Sequence, residues 1–299
     1  CSSDLPLRTS MYVPGNKEDW MRKAPQYGAD ALILDLEDSV PVPNKAEARA
    51  LVRKMLEELG GEKPTLTVRV NRLETGLTGS DLEAITCPQL YGVLLPKVES
   101  PAAVVAVDNL LSYFERKARM EVGSLFIDPG LETAQSIRQS YEIATASSRI
   151  AHMGGSGGKG GDTSRSIGFQ WTPEGLETLY LKSKVLIDVR SAGVPYPMSG
   201  GWFDIHDLEG LRALAVQLRQ LGYTGMHLIH PSHVPVVNEV FSPTPEDVKH
   251  WQGLVKAMEE MRSTGGAAIT FGGDMVDIAH EETARTMLAI AKEMAIEGA

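Results

Sequence analysis

Residues 29–38 read ADALILDLED, an apolar run that ends on acidic side chains. A continuous apolar strand of this kind is typical of a parallel sheet that is covered on both faces. A helical pattern over residues 44–61, NKAEARALVRKMLEELGG, follows the run. The stretch therefore predicts a buried strand with a polar carboxyl end, and then a helix that packs back on the sheet.

The same rhythm recurs along the chain and decides the predicted fold. Eight strand-like runs, each followed by a helical pattern, occur within about 240 residues, as in a (β/α)8 barrel of about 250 residues. An open doubly wound sheet is the competing architecture. The last but one run is the weakest, because it carries two prolines. The runs occupy residues 8–15, 29–38, 65–71, 91–100, 122–130, 148–155, 194–205 and 225–231.

Polar side chains follow one strand after another. A barrel brings the carboxyl ends of its strands to one face, whereas an open sheet spreads them along an edge. We therefore predict an α/β fold, with a (β/α)8 TIM barrel as the catalytic domain over residues 1–242. Residues 243–299 hold two helical patterns around a glycine-broken link, so we expect a C-terminal helical extension that packs on the barrel or on a neighbouring subunit. The polar side chains are Asp35, Glu37, Asp38, Arg69, Asn71, Lys97, Glu99, Glu132, Asp162 and His230.

The composition is that of an ordinary globular protein, with a net charge of −10 over 299 residues. This acidic balance disfavours a nucleic-acid partner. Cys1 and Cys87 form no spaced set, so neither a disulfide nor a thiolate zinc site is expected. No apolar run approaches the roughly 20 residues that cross a bilayer, and no signal peptide is visible, so we expect a cytoplasmic location and no membrane partner.

Two carboxylates follow neighbouring strands of the predicted barrel. Glu132 comes after the fifth strand and Asp162 after the sixth, so the barrel would place them close together. Hard carboxylate oxygens that leave room for water and substrate are typical of a Mg2+ site, with Mn2+ as an alternative. Both residues also have a structural interpretation, in which Glu132 starts one helix and Asp162 caps the next.

Arg69 and Lys97 are the cations at the ends of the predicted strands. The guanidinium of Arg69 suits bidentate capture of a carboxylate. The alternative is a structural ion pair with Glu37 or Asp38, and those acids could also orient the arginine while it binds. Lys97 could form a Schiff base, but a metal site would make that role redundant, so we rank it lower.

Residues 149–168, RIAHMGGSGGKGGDTSRSIG, contain a glycine-rich loop before Asp162. A Walker loop requires GxxxxGK[ST], but Met153 stands at the first glycine position and Gly160 follows Lys159. A dinucleotide fingerprint requires a helix that starts at once, and here the helix is delayed. We therefore interpret the loop as a flexible lid or insertion.

A series of motifs in order resembles one family, the citrate lyase beta subunit, malyl-CoA lyase and citramalyl-CoA lyase group of Mg2+-dependent aldolase barrels. The resemblance covers nearly the whole chain and implies that Glu132, in LETA, and Asp162 are the metal ligands. It also implies that Arg69 is a catalytic residue that binds the substrate carboxylate, with Glu37 and Asp38 beside it. The motifs are RTSMYVPGN, LILDLEDSVP, VRVN, LLPKVES, LETA, IHPS and VFSPTPEDVKHW.

The C-terminal motif GGDMVDIAH extends the resemblance. It implies that Asp277 is a catalytic residue, the proton donor in a neighbouring subunit's site, and hence that the protein is a homo-oligomer, a trimer or hexamer. Three departures from the family pattern lie near the predicted barrel mouth. The pattern G-[AG]-E-D becomes GGD, Met226 replaces a lysine, and His233 replaces a glutamine. These departures leave the implied metal ligands and Arg69 in place, so the resemblance implies the reaction class more strongly than the substrate.

The resemblance implies a carbon–carbon lyase of the oxoacid-lyase or aldolase type that cleaves or forms a 3-hydroxyacyl-CoA such as malyl-CoA or citramalyl-CoA. Its partners would be a small oxoacid and an acyl-CoA, with Arg8 and Lys17 as candidate CoA contacts. One alternative is an aldolase of a free hydroxy-oxoacid without CoA. Others are a citrate-lyase-type beta subunit that acts with an acyl carrier partner, and a non-catalytic small-acid-binding protein.

Overall fold

The computed structural model describes residues 6–61, 64–155, 157–263, 265–266, 268–294, 296 and 298–299. The chain divides into two compact units, Cys1–Val240 and Phe241–Ala299. Cys1 and one residue of the glycine-rich loop, Ser156, lie outside the described residues, and Cys87 is a buried free thiol. Within the described part of the chain, no helix combines the length and apolar character that crossing a membrane requires.

Seven parallel strands form the sheet of the first unit, in the order β5-β4-β3-β2-β1-β7-β6. In the register of β2 and β3, Asp35 stands directly beside Arg69 at the carboxyl end of both strands. The strands are β1 Thr9–Pro14, β2 Ala31–Asp35, β3 Thr65–Arg69, β4 Gly92–Leu95, β5 Phe126–Pro129, β6 Met198–Gly200 and β7 Gly225–Leu228.

Helices alternate with these strands, as the βα rhythm predicts. Side chains of α2 pack on the sheet, and Val52 and Met55 are fully buried, as are Leu32, Ile33 and Leu34 of β2. Burial of one such side chain stabilises the fold by about 1.5–3 kcal/mol. The helices are α1 Glu18–Lys23, α2 Lys45–Leu59, α3 Thr78–Ile85, α4 Pro101–Lys117, α5 Ala134–Arg138, α6 Ser140–Ala144, α7 Asp162–Ile167, α8 Leu176–Ser191, α9 Leu208–Leu221 and α10 His233–Phe241.

The predicted (β/α)8 barrel is confirmed only as an α/β fold with a curled parallel sheet, because the run at 148–155 does not form the sixth strand. Residues 149–155 lie between the two sheet edges: Ile127 N donates to Arg149 O, and Ser199 Oγ donates to Gly155 O. Two isolated bridges join this segment to β5 and to the loop after it, Ile127–Ile150 and Leu131–Gly155. Between these bridges the segment has one more residue than the chain at β5, and an extra residue interrupts a ladder.

The run predicted at 194–205 is a strand only over Met198–Gly200. Pro195 and Pro197 come before it, and a proline cannot donate a ladder hydrogen bond. The prolines therefore shorten this strand from its amino end.

The second unit contains α11 Pro245–Ser263, the antiparallel hairpin β8 Ile269–Phe271 and β9 Asp274–Val276, and α12 Ile278–Glu293. The hairpin lies in the predicted glycine-broken link and was missed by the sequence patterns. Gly272 and Gly273 both have positive φ, 63° and 97°, as a two-residue hairpin turn of this hand requires. Thr264 and Ala267 of the link lie outside the described residues.

A buried ion pair fixes the end of α4 against the 149–155 segment. Arg149 donates to both carboxylate oxygens of Glu115, at 2.9 and 2.7 Å, and Glu115 also accepts from the backbone of Gly123 and Leu125. Burial raises the pKa of Glu115, but Arg149 and these N–H groups hold it below its ordinary value of 4.5. Its contribution to stability is therefore present above about pH 4.5 and is lost as the pH falls through the lower folded pKa.

We expect Glu115→Gln to destabilise the protein by about 1.5–3 kcal/mol, because Arg149 would lose its charge-assisted hydrogen bonds to the buried carboxylate and keep its ion pair with Asp108. Urea unfolding at pH 7 measures the change. Glu57→Gln is the matched control, because Glu57 pairs with Arg53 on the surface of α2 and such pairs contribute little. An unfolding midpoint for Glu115→Gln equal to that of the control would contradict this account.

Candidate functional site

A cleft of about 430 Å3 opens at the carboxyl ends of the strands of the first unit. Its polar walls come from five strands or the loops after them. The described side chains that line it and carry charge or an imidazole are Asp35, Asp38, Arg69, Asp128, Glu132, Asp162 and His227. The strand ends therefore bring together the predicted residues Asp38, Arg69, Glu132 and Asp162.

Arg69 is held in place by Asp35. Arg69 Nε and Nη2 donate to Asp35 Oδ1 and Oδ2, each at 2.7 Å, and Nη1 lies 3.2 Å from Glu37 Oε2. The guanidinium also lies 4.8 Å from the centre of the Tyr12 ring. Burial raises the pKa of Asp35, but the hydrogen bonds and charge of Arg69 hold it below its ordinary value. The pair is therefore charged, and Asp35 is the orienting acid that the sequence patterns did not single out.

Lys97 organises the other predicted acids. Its Nζ donates to Glu37 Oε1 at 2.7 Å and to Asp38 Oδ2 at 2.9 Å, and lies 3.9 Å from Asp162 Oδ2. Burial lowers the pKa of Lys97, but the bonds with Glu37 and Asp38 raise it above its ordinary value. A lysine held as the ammonium is a poor Schiff-base nucleophile, which agrees with its lower ranking.

Glu132 is a half-buried carboxylate that faces the cleft. Its Oε1 accepts from Lys97 N at 3.1 Å, and Lys97 has a positive φ of 51° at this point. Burial raises the pKa of Glu132 to about 7. Glu132 lies outside α5, whose amino-terminal cap is Thr133. The helix-start interpretation therefore does not account for this side chain.

Asp162 is the first residue of α7, and its side chain contacts Arg165. The cap of α7 is Gly161, and no side chain makes a cap hydrogen bond there. The glycine-rich loop forms a wall of the cleft beside Asp162 through Gly155, Gly158 and Gly161. A Cβ at Gly158 would lie 2.3 Å from Gly201 O. Only glycine fits this close approach, so the loop packs on the sheet at that point.

The donor set of the cleft fits a hard divalent cation. Glu132 and Asp162 each supply a carboxylate to the cleft, and the partial burial of Glu132 favours any added positive charge. No cluster of three or more His, Cys, Asp or Glu side chains suited to a metal occurs among the described residues. Mg2+ is commonly bound through one or two carboxylates, with water and substrate oxygens as the other ligands.

The remaining predicted residues have structural partners. Asp277, in the second unit, caps α12, where its Oδ1 accepts from Ala279 N and lies 2.7 Å from His280 Nδ1. Its catalytic role stays a prediction. Arg8, a candidate CoA contact, donates from Nη2 to Asp30 Oδ1 at 2.6 Å.

Three cleft residues were missed by the sequence patterns: Tyr12, Asp128 and His227. His227 Nε2 on β7 lies 3.1 Å from Asp128 Oδ2 on β5. The sequence offered one signal for Asp128: its carboxylate lies within the apolar strand FIDP, whereas the other acids follow their strands. His227 lies directly after Met226, where the family pattern has a lysine, at a position that the pattern leaves open.

Comparisons with known proteins agree with the motifs. The family described as HpcH/HpaI aldolase/citrate lyase matches residues 8–231. The chain is 32% identical over 270 residues to the citrate lyase subunit beta of Leuconostoc mesenteroides subsp. cremoris, covering 90% of this chain and 88% of that one. It is 30% identical over 296 residues to the mitochondrial citramalyl-CoA lyase of Homo sapiens, covering 96% and 86%.

A solved structure shares the fold over almost the whole chain. CitE from Mycobacterium tuberculosis, in complex with magnesium, acetoacetate and coenzyme A, has a TM-score of 0.71 and 26% identity, and the match covers 96% of this chain and 98% of that one. The predicted family and the predicted lyase or aldolase type of enzyme are confirmed at this level. The chain belongs to the HpcH/HpaI aldolase/citrate lyase family.

Proposed function

We propose that the protein is a Mg2+-dependent carbon–carbon lyase that cleaves or forms a 3-hydroxyacyl-CoA of the malyl-CoA or citramalyl-CoA type, giving an oxoacid and an acyl-CoA. The observation that carries the proposal is the convergence of Arg69, Glu132 and Asp162 on one cleft. The citramalyl-CoA lyase name of one relative and the coenzyme A in the solved CitE structure support the thioester.

The proposed roles follow from the chemistry of each side chain. Arg69 binds the oxoacid carboxylate with the guanidinium N–H groups that Asp35 leaves free. Glu132 and Asp162 hold Mg2+, which when bound stabilises negative charge on substrate oxygens. The ion pairs of Lys97 with Glu37 and Asp38 fix the loop beside these ligands.

The size of the site supports a two-part substrate. The cleft of about 430 Å3 suits a small oxoacid unit, and a second cleft of about 650 Å3 shares Asp38 and Asp162 with it. Arg72 and Arg165 line the second cleft. We propose that the acyl-CoA portion approaches from that side.

The decisive assay supplies citramalyl-CoA or malyl-CoA with Mg2+ and measures the oxoacid as its hydrazone and free CoA as a thiol. We expect oxoacid without free thiol, because the lyase reaction leaves the thioester intact. Free thiol without oxoacid would indicate thioester hydrolysis and contradict the lyase assignment. Activity on a free hydroxy-oxoacid alone would favour the aldolase without CoA, and activity only on an acyl-carrier thioester would favour the citrate-lyase-type subunit.

Asp162→Asn should weaken Mg2+ binding by roughly 100-fold or more, because it removes one of two carboxylate ligands and ligand environments of this kind are sensitive to single changes. Calorimetric titration with Mg2+ alone measures this without reference to activity. Asp19→Asn, on the surface of α1, is the control and should bind Mg2+ as the wild type does. Equal affinity in both variants would remove Asp162 from the metal site.

Asp35→Asn should raise KM for the oxoacid in the condensation direction by roughly 10-fold or more, because Arg69 loses the charged partner that orients it and charge-assisted hydrogen bonds contribute about 1.5–3 kcal/mol. Initial rates at varied glyoxylate or pyruvate measure the change. Ser39→Ala is the comparison, since it removes one hydroxyl hydrogen bond to Asp35 and leaves the ion pair. An unchanged KM in Asp35→Asn would contradict the orienting role.

Asp277 is proposed to donate the proton that the acyl-CoA enolate requires, in the site of a second copy of the chain. If so, Asp277→Asn and Asp162→Asn should each be nearly inactive as pure proteins and regain activity when unfolded and refolded together. Mixed oligomers would contain some sites with both residues intact. No recovery from a mixture that forms oligomers would place Asp277 in its own subunit's site or outside catalysis.

A further inference from the structure

His227 and Asp128 meet at the floor of the cleft, apart from the ion pairs around Arg69 and Lys97. The side chain of each is 19% exposed, with His227 Nε2 3.1 Å from Asp128 Oδ2. They come from β7 and β5, which are not neighbours in the sheet. The curl of the sheet therefore brings the two side chains together, and both remain open to the cleft.

The surroundings leave one direction of approach to His227. On the inner side, both residues line a cavity of about 20 Å3, which has room for a water molecule and not for a substrate. On the outer side they line the cleft of about 430 Å3. A substrate therefore reaches His227 from the same side as Arg69 and Glu132.

The other ionisable side chains of the cleft have charged partners or a proposed cation. Among the described residues that line the cleft, His227 is the one imidazole. Histidine is the side chain that ordinarily exchanges a proton between about pH 5 and 8. The charged pairs are Arg69 with Asp35, Asp38 with Lys97 and Asp162 with Arg165.

We propose that His227 is a catalytic residue of the lyase reaction, the base that takes the proton of the substrate hydroxyl, and that Asp128 is its positioning residue. The inference rests on the proposed function. A carboxylate beside one imidazole nitrogen holds the ring and its tautomer, which leaves Nδ1 to accept a proton. No described side chain is recorded as a hydrogen-bond partner of His227 Nδ1.

The step balances without a further reactant. The hydroxyl O–H bond breaks and its proton goes to His227 Nδ1, while the carbon–oxygen bond becomes the carbonyl of the oxoacid. The carbon–carbon bond breaks, and its electron pair passes to the α-carbon of the acyl-CoA as an enolate. The enolate takes a proton from Asp277 of a second copy, as proposed above. His227 then releases its proton to water, from which Asp277 regains one.

Several elements present charged or titratable groups to His227. Asp128 of β5 is the nearest anion. The ring of Tyr12 on β1 is edge-on at 6.2 Å, and Arg69 of β3 lies over the Tyr12 ring. His152, between the sheet edges, also lines the inner cavity, and burial holds its pKa below the ordinary value, so it is neutral near pH 7.

His227→Gln tests the inference in the wild-type background at saturating Mg2+. We expect kcat to fall by about 100- to 10,000-fold, with KM within about threefold, and the acid limb of the kcat/KM profile to disappear. His206→Gln, an exposed histidine, is the control and should keep the wild-type rate and profile. A folded His227→Gln enzyme with the wild-type kcat and acid limb would overturn the inference. A wild-type protein that releases no oxoacid would overturn the proposed function, and this inference with it.

Asp128→Asn separates positioning from a merely structural role. The tautomer of the His227 ring should change, because the imidazole loses the carboxylate that holds Nε2 as its protonated nitrogen. Nitrogen NMR of the imidazoles measures the tautomer and does not depend on turnover. The protein has seven histidines, so the signal absent from His227→Gln identifies His227. A His227 tautomer that is the same in Asp128→Asn and the wild type overturns the assignment of Asp128.

Discussion

The ion pair between Asp35 and Arg69 is the interaction on which the rest of the cleft depends. The register of β2 and β3 sets the two residues side by side, and removal of Arg69 would leave the buried carboxylate of Asp35 without its charged partner. Asp35 also accepts from the backbone of Glu37 and Ser39, so the same carboxylate that orients the guanidinium also shapes the loop after β2. The position of Glu37, and through it of Lys97, follows from that loop.

Burial and charge act against each other throughout this face of the sheet. Arg69 and Lys97 offset the cost of placing Asp35, Glu37 and Asp38 near the protein interior. Glu132 has a backbone N–H as its recorded hydrogen-bond donor, and its pKa is raised to about 7. In one part of the cleft, the acidic side chains therefore have cationic partners. Glu132 is a half-buried carboxylate where added positive charge is still favoured, and this difference marks where a cation would bind.

The sequence predicted the elements whose signals are local. Seven of the eight predicted runs contain a strand, and the polar residues that close them, including Arg69 at the end of β3 and Glu132 after β5, follow from the same local pattern. The sixth run failed because one extra residue between two bridges is invisible in hydrophobic periodicity. The pairing of Asp128 with His227 also could not be predicted from the sequence, because it depends on the curl of the sheet that brings β5 towards β7. Asp35 was seen as one acid among several because register, and not composition, selects it as the partner of Arg69.

The most direct test of the account is a crystal structure with Mn2+ in place of Mg2+ and a bound oxoacid, with anomalous scattering used to locate the metal. The account predicts one anomalous peak within about 2.0–2.5 Å of carboxylate oxygens of both Glu132 and Asp162, and the oxoacid carboxylate against the guanidinium of Arg69. A peak elsewhere, or an oxoacid bound away from Arg69, would contradict it.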